Sequence, residues 1–170
     1  TITVSGLPTI GEVQLANGTA VANGAVLTAA ELTGLRYLPP AEYDGVAPVG
    51  TFAYSVSDGL TTVNGGTTIT VSAVNDAPQA FDDTRSTGEN STLSAGVPTA
   101  TDVDGTISSY TLASGVGAGN GSLAFNADGS YVFNTGSAFD NLAAGQSRSV
   151  SFTYTATDNN GAARAPATVT

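Results

Sequence analysis

The sequence predicts an all-β protein built as two tandem β-sandwiches. Its 170 residues show no sustained i, i+3, i+4, i+7 apolar pattern, but several segments alternate apolar and polar residues as half-buried strands do. One such segment occurs twice, because residues 51–58 (TFAYSVSD) match residues 151–158 (SFTYTATD) without a gap. A repeat spacing of about 100 residues indicates tandem modules. We therefore predict domains at residues 1–76 and 77–170, joined by a short segment that Pro78 stiffens.

In the first domain, turn and cap residues separate the predicted elements. Asn17-Gly18 and Asn23-Gly24 are strong hairpin turn signals. Thr28, with Glu31 three residues later, predicts the cap of a single helical turn over residues 28–32. The predicted strands span residues 2–7, 12–15, 20–27, 35–38, the Phe52/Tyr54/Val56 segment and residues 67–74.

The second domain contains about seven short predicted strands, which favours an immunoglobulin-like sandwich. They span residues 81–86, 91–100, 107–112, 122–125 and 131–133, followed by two closing strands. Laid over this pattern, the first domain begins at the third strand. We therefore predict that the first domain lacks its N-terminal strands here, and that the natural chain extends roughly 25 residues upstream of Thr1.

Composition restricts the function. The chain has 14 Asp and Glu residues against four Arg and no Lys, a formal net charge of −10. Nucleic acids and anionic membrane surfaces require cationic side chains, so we expect neither as a partner, and no apolar run is long enough for membrane insertion. The absence of Cys and His excludes disulfides, ordinary zinc sites and Ser-His or Cys-His nucleophiles. A glycosidase pair of carboxylates is formally possible, but acids clustered at loop ends suit a metal better, and we expect no enzyme.

The topology of the predicted sandwich brings acidic loops together. Because strands alternate in direction, the start of the first strand and the loops after the second and sixth strands share one end. In the second domain these segments carry Asn75 and Asp76, Asp102 and Asp104, and Asp158. We expect Glu42 and Asp44 of the first domain to face the same junction. Such oxygen donors suit Ca²⁺, which takes six to eight oxygen ligands, although Asp beside Gly is also an ordinary turn residue.

Several motifs resemble the bacterial VCBS repeat of secreted RTX-type giant adhesins. They are residues 126–131 (NADGSY), 142–146 (LAAGQ), 152–161 (FTYTATDNNG) and the linker at residues 74–78 (VNDAP). Residues 99–105 (TATDVDG), with the strand behind them, are also similar to cadherins. The resemblance implies secreted, cell-surface modules that act mostly as calcium-stiffened spacers in adhesion and biofilm formation. Their partners would be neighbouring repeats, with surface glycans or proteins bound through other domains.

Two functions follow as hypotheses. The first is a structural extender of a bacterial surface adhesin, made rigid by Ca²⁺ at the junction between its domains. The alternative is a ligand-binding sandwich of the same adhesin that holds carbohydrate or protein. Sugar sites usually present exposed aromatic rings, yet alternation points most rings of this chain inward and Trp is absent. Only Tyr43, Tyr110 and Phe139 are candidates for surface rings.

Overall fold

A computed structural model describes residues 1–43, 45 and 48–170 of the protein. They form two compact units, unit 1 (Thr1–Val74) and unit 2 (Asn75–Thr170). The boundary predicted from the sequence, after residue 76, lies two residues beyond this division. Strands dominate both units, and the only helix among the described residues is five residues long, so the predicted all-β fold class is confirmed. Asp44, one of the predicted metal ligands, lies outside the described residues.

Unit 1 contains a four-stranded antiparallel sheet and a separate two-stranded antiparallel sheet. Its elements are β1 (Ile2–Gly6), β2 (Glu12–Gln14), β3 (Val26–Leu27), α1 (Ala29–Thr33), β4 (Arg36–Leu38), β5 (Gly50–Ser57) and β6 (Thr62–Ile69). The larger sheet has the order β3-β1-β5-β6, and β2 pairs with β4. Val13 of the smaller sheet packs in one apolar cluster with Val4, Leu27 and Phe52 of the larger sheet. The smaller sheet therefore covers part of one face of the larger one.

The helix α1 begins where the sequence predicts it. The Thr28 hydroxyl accepts a hydrogen bond from the Glu31 backbone N–H at 3.2 Å, and the Glu31 carboxylate accepts one from the Thr28 backbone N–H at 2.8 Å. This reciprocal capping box satisfies two backbone donors that an isolated helix end would leave unpaired. The predicted helical turn is confirmed, one residue further along the chain than expected.

Unit 2 consists of two three-stranded sheets. Its strands are β7 (Thr92–Gly96), β8 (Ile107–Ser114), β9 (Ser122–Phe125), β10 (Ser130–Asn134), β11 (Phe152–Asp158) and β12 (Ala167–Val169). One sheet has the order β7-β10-β9 and the other β12-β11-β8. Tyr131 of the first sheet meets Phe152 of the second edge to face, with their ring centroids 4.9 Å apart. The two sheets thus enclose one core between them, as a sandwich does.

Alternation places the rings of β11 inside the core, as predicted. Phe152, Tyr154 and Ala156 are all buried, and the Tyr154 hydroxyl donates to the Phe81 carbonyl at 2.6 Å. The matching strand of unit 1, β5, is less completely buried. Phe52 is buried, but Val56 is 42% exposed, whereas Ala156 at the equivalent position is 2% exposed.

Several predicted strands are wrong in whole or in part. No strand forms over residues 81–86; only isolated bridges occur in and beside this segment, antiparallel between Gln79 and Thr101 and parallel between Asp83 and Val169. The strand predicted at residues 91–100 is reduced to Thr92–Gly96. The strand predicted at residues 67–74 ends at Ile69. The one predicted at residues 20–27 is reduced to Val26–Leu27, because the Asn23-Gly24 turn interrupts it.

Candidate calcium site

The five candidate metal ligands of unit 2 lie at the pole where β11 ends, and we call them the acidic pole. The Asn75 side-chain amide donates to Asp158 Oδ2 at 2.7 Å. The Asp76 backbone N–H donates to Asp104 Oδ2 at 3.1 Å, and the Asp104 N–H in turn donates to Asp102 Oδ1 at 3.1 Å. Residues from three distant segments are therefore brought together, as the strand topology predicts.

The loop that follows Ala100 holds Asp102 in a tight turn. Its Oδ1 accepts hydrogen bonds from the backbone N–H groups of Asp104 and Gly105, the latter at 2.8 Å. A Cβ on Gly105 would stand 2.7 Å from the Asn159 side-chain oxygen, so a larger residue there would displace that side chain. The other oxygen of Asp102, Oδ2, is buried and has no hydrogen-bond partner among the described residues. A buried carboxylate oxygen without a partner is costly and needs a compensating group.

Asp158 is the most buried acid of the acidic pole, at 1% exposure. Its Oδ1 accepts from the backbone N–H groups of Asn160 and Ala162, both at 2.8 Å, while Oδ2 accepts from Asn75. These hydrogen bonds, that from the Asn75 side chain first, hold the pKa of Asp158 below its ordinary value, against the opposing effect of burial. Asp158 is therefore a fixed negative charge at neutral pH.

Two further residues, Asn159 and Asn160, also lie at the acidic pole, although they were not predicted there from the sequence. Asn159 Oδ1 accepts from the Thr106 backbone N–H at 2.7 Å, and the Asn160 side-chain amide donates to Asn75 Oδ1. Both follow Asp158 directly and add amide oxygens to the donor set. The run Asp158-Asn159-Asn160-Gly161 is a dense cluster of turn formers, and this signal could have identified them.

The internal repeat shows how the loop after β11 differs from its counterpart in unit 1. Asp58, the counterpart of Asp158, is exposed and accepts from the N–H groups of Leu60 and Thr61 inside a short turn. Phe52 stands opposite Thr67, whereas Phe152 stands opposite Val169, so the stretch from the phenylalanine to its partner is two residues longer in unit 2. One of these residues lies at the turn, where Thr157 pairs with Ala163 while Ser57 pairs with Thr62.

The donor chemistry of the acidic pole suits a hard cation, because every candidate ligand atom is a carboxylate or amide oxygen. Asp102 Oδ2, which is buried without a partner, is the atom of this set that most needs a compensating positive group. In residues 1–43, 45 and 48–170, no group of three or more His, Cys, Asp and Glu side chains is arranged to hold a metal ion. Glu42, in unit 1, is exposed with a left-handed φ of 56°. Its role as a ligand, like that of Asp44, stays a prediction.

Comparison with known proteins gives the family of the chain. A solved structure of CbhA fibronectin(III)-like modules from Clostridium thermocellum is 18% identical, covers 98% of this chain and 80% of its own, and has a TM-score of 0.32. No curated protein matched the chain. Among the described residues, no helix has the length and apolar character needed to cross a membrane.

The family comparison confirms the cadherin-like part of the resemblance, while the VCBS and RTX assignments stay predictions. The bacterial cadherin-like domain matches residues 75–170, which are unit 2. The chain therefore belongs to the bacterial cadherin-like domain family.

Proposed function

We propose that this chain supplies extender modules of a bacterial cell-surface adhesin, and that Ca²⁺ bound at the acidic pole stiffens the entry into unit 2. Its cellular role would be to hold adhesive domains away from the surface during adhesion or biofilm formation. Family membership and the sandwich fold support a structural module. The observation that carries the calcium proposal is the meeting of Asn75 and Asp76, at the start of unit 2, with the carboxylates of Asp102, Asp104 and Asp158.

Bound calcium would hold the start of unit 2 more tightly than the hydrogen bonds of Asn75 and Asp76 alone. The entry segment is now held to the body of unit 2 by the hydrogen bonds of Asn75 and Asp76. An ion coordinated by Asp102 Oδ2 and its neighbours would add charge–charge attraction between the same segments. Binding requires the side chains to converge further, with amide and backbone oxygens completing the shell. Such rearrangement lowers affinity, which agrees with the Kd values of about 10⁻⁴ to 10⁻³ M of extracellular modules.

Calorimetric titration of the full chain with CaCl₂ tests the site. We expect saturable binding in that range, and weakening of roughly tenfold or more in Asp102→Asn, which keeps the shape of the side chain but removes its charge. Asp128→Asn is the matched control, because Asp128 accepts from Ser130 in a turn between β9 and β10. Absence of saturable binding at millimolar calcium would contradict the site, as would equal affinity in Asp102→Asn.

Small-angle scattering tests the stiffening separately. With calcium the chain should show a narrower distribution of dimensions than with a chelator, and Asp102→Asn should lose this difference. Identical profiles in the presence of proven binding would leave a calcium site but remove the mechanical role.

The ligand-binding alternative is less well supported by the aromatic residues. Phe139 is buried, and the Tyr110 hydroxyl accepts from the Ala100 backbone N–H at 3.0 Å while its ring packs on the core of unit 2. Neither ring forms an exposed platform for a sugar. Saturable binding on a glycan array would restore this alternative.

A further inference from the structure

Unit 2 contains a cavity of about 490 Å³ at the pole opposite the acidic pole. It opens where β11 begins and β12 ends, between the two sheets. Core side chains form its floor: Leu93, Tyr131, Phe152 and Val169, three of them less than 6% exposed. The loop from Phe139 to Val150 covers it. A cavity of this size, with mostly apolar walls, has the dimensions of a small-molecule site.

One buried hydroxyl of the cavity has no acceptor for its proton. Tyr131 is 2% exposed, and its hydroxyl donates to no acceptor within the described part of the chain. Burial raises the pKa of this hydroxyl, and the charge of Arg85, together with a weak hydrogen bond from the Arg85 side chain to the hydroxyl oxygen, partly offsets that effect. The group is therefore a protonated donor beside a cation. Native structures rarely leave such a group unsatisfied, so its position in the cavity wall points to a ligand that accepts its hydrogen bond.

Two of the four arginines of this acidic chain line the same cavity. Arg85 pairs with Asp83 through Nε at 2.6 Å, and its side chain also lies beside the Tyr131 hydroxyl. Arg148 stacks on Phe139, 4.1 Å from the ring centroid, and donates to the carbonyls of Gly119 and Ala138. Glu89 is the one acid in the lining. The cavity thus places cations next to an apolar floor, which favours an anionic head on an apolar body.

We propose that this cavity binds a small organic carboxylate with an apolar body. The carboxylate would accept from the Tyr131 hydroxyl and pair with Arg85, and the apolar part would lie on Leu93 and Phe152. Arg148 closes the rim and contributes positive potential. This site is separate from the acidic pole and requires no calcium.

Titration of the full chain with octanoate, followed by amide chemical shifts in the presence of a calcium chelator, tests the proposal. We expect saturable shifts around Tyr131 and β12, and binding of 1-octanol roughly tenfold weaker, because the alcohol lacks the charge. Tyr131→Phe and Arg85→Gln should each weaken octanoate roughly tenfold. The matched controls, Tyr37→Phe and Arg36→Gln, change the same groups in unit 1 and should leave binding unchanged.

Several results would overturn the proposal. These are absence of saturable shifts at millimolar octanoate, equal affinity for octanoate and octanol, or unaltered binding in both cavity variants. Far-ultraviolet circular dichroism of each variant must match the parent, since an unfolded protein would imitate loss of binding. Calcium titration of the same samples keeps the two sites distinguishable: Tyr131→Phe should leave calcium binding intact, and Asp102→Asn should leave octanoate binding intact.

Discussion

At the scale of single residues, two core tyrosines of unit 2 differ in what their hydroxyls contact. The Tyr154 hydroxyl donates to the Phe81 carbonyl at 2.6 Å, whereas the Tyr131 hydroxyl donates to no acceptor in the described residues. Loss of a typical hydrogen bond costs about 1 kcal/mol, while removal of an unsatisfied hydroxyl costs nothing and relieves desolvation. We predict that Tyr154→Phe lowers the free energy of unfolding by about 1 kcal/mol, and that Tyr131→Phe leaves it equal or raises it.

Urea denaturation of the two variants measures this difference directly. Both substitutions remove one oxygen from a buried ring, so each is the control for the other. Equal destabilisation by the two would show that the Tyr131 hydroxyl has a partner in solution, and would also weaken the case for its role in ligand binding.

Asp158 links stability to pH. Its pKa is lower in the folded protein than the ordinary value of 3.8, so in acid the unfolded chain binds more protons than the folded one. Its contribution is complete above about pH 4 and is lost as the pH falls through the folded pKa. Asp58 and Asp128, whose pKa values are lowered by hydrogen bonds in their turns, act in the same direction. We therefore predict that stability declines in the acid range below about pH 4.

The variant Asp158→Asn measures how much of this pH dependence comes from Asp158. An asparagine amide would face the Asn75 amide donor, so we expect the variant to be less stable at pH 7 and to lose stability less steeply in acid. Asp140→Asn, at an exposed position, is the control. An unchanged acid slope in Asp158→Asn would contradict the assignment.

At the scale of elements, β5 and β11 are two copies of one strand in different surroundings. Ala156 is 2% exposed in a packed core, whereas Val56, at the same place in the repeat, is 42% exposed. We predict that Ala156→Val, which inserts the residue of unit 1 into unit 2, destabilises by about 1–3 kcal/mol through overpacking. The reverse change, Val56→Ala, should cost less than about 1 kcal/mol. Thermal denaturation of both variants measures the two losses of stability. Equal losses would contradict the inference that position 156 is packed more tightly than position 56.

The hairpin β9–β10 shows which elements could be predicted from the sequence. Residues 126–129 combine turn formers with alternating strands on both sides, so local chemistry alone determines the hairpin, and it forms as predicted. The segment at residues 81–86 could not be assigned correctly, because its conformation depends on a single bridge to a residue distant in sequence, between Asp83 and Val169. Its alternation is compatible with a strand, and only tertiary structure shows where it pairs.

The acidic pole, too, could be predicted from the sequence only in part. Alternating strand directions suffice to bring Asp102, Asp104 and Asp158 to one end of unit 2. The additional amide groups of Asn159 and Asn160 lie in the stretch from Phe152 to its partner Val169, which is two residues longer than its counterpart in unit 1. An ungapped sequence repeat conceals this difference, since Thr168-Val169-Thr170 still aligns with Thr68-Ile69-Thr70.

At the scale of the whole molecule, calcium should affect thermal unfolding through unit 2. A ligand that binds only the folded state stabilises it by RT ln(1 + [L]/Kd), which is about 1.4 kcal/mol at ten times Kd. We predict that calcium raises the unfolding temperature of unit 2 in calorimetric scans and that chelation reverses the increase. Asp102→Asn should abolish it, with Asp128→Asn as the control. A transition that does not move under saturating calcium would contradict binding to the folded unit.

The parallel pairing of the first segment of unit 2 with β12 has a mechanical consequence. The Asp83 backbone N–H donates to the Thr168 carbonyl at 2.9 Å, and the Asp83 carbonyl accepts from the Thr170 N–H at 3.0 Å. The Arg85 backbone N–H donates to the Thr170 carbonyl at 2.8 Å. These bonds join the first and last segments of the unit side by side and in parallel. Tension applied between Asn75 and Thr170 would load them lengthwise, in shear, so that they must rupture together. A module connected in this way withstands stretching better than one whose terminal strands peel apart bond by bond.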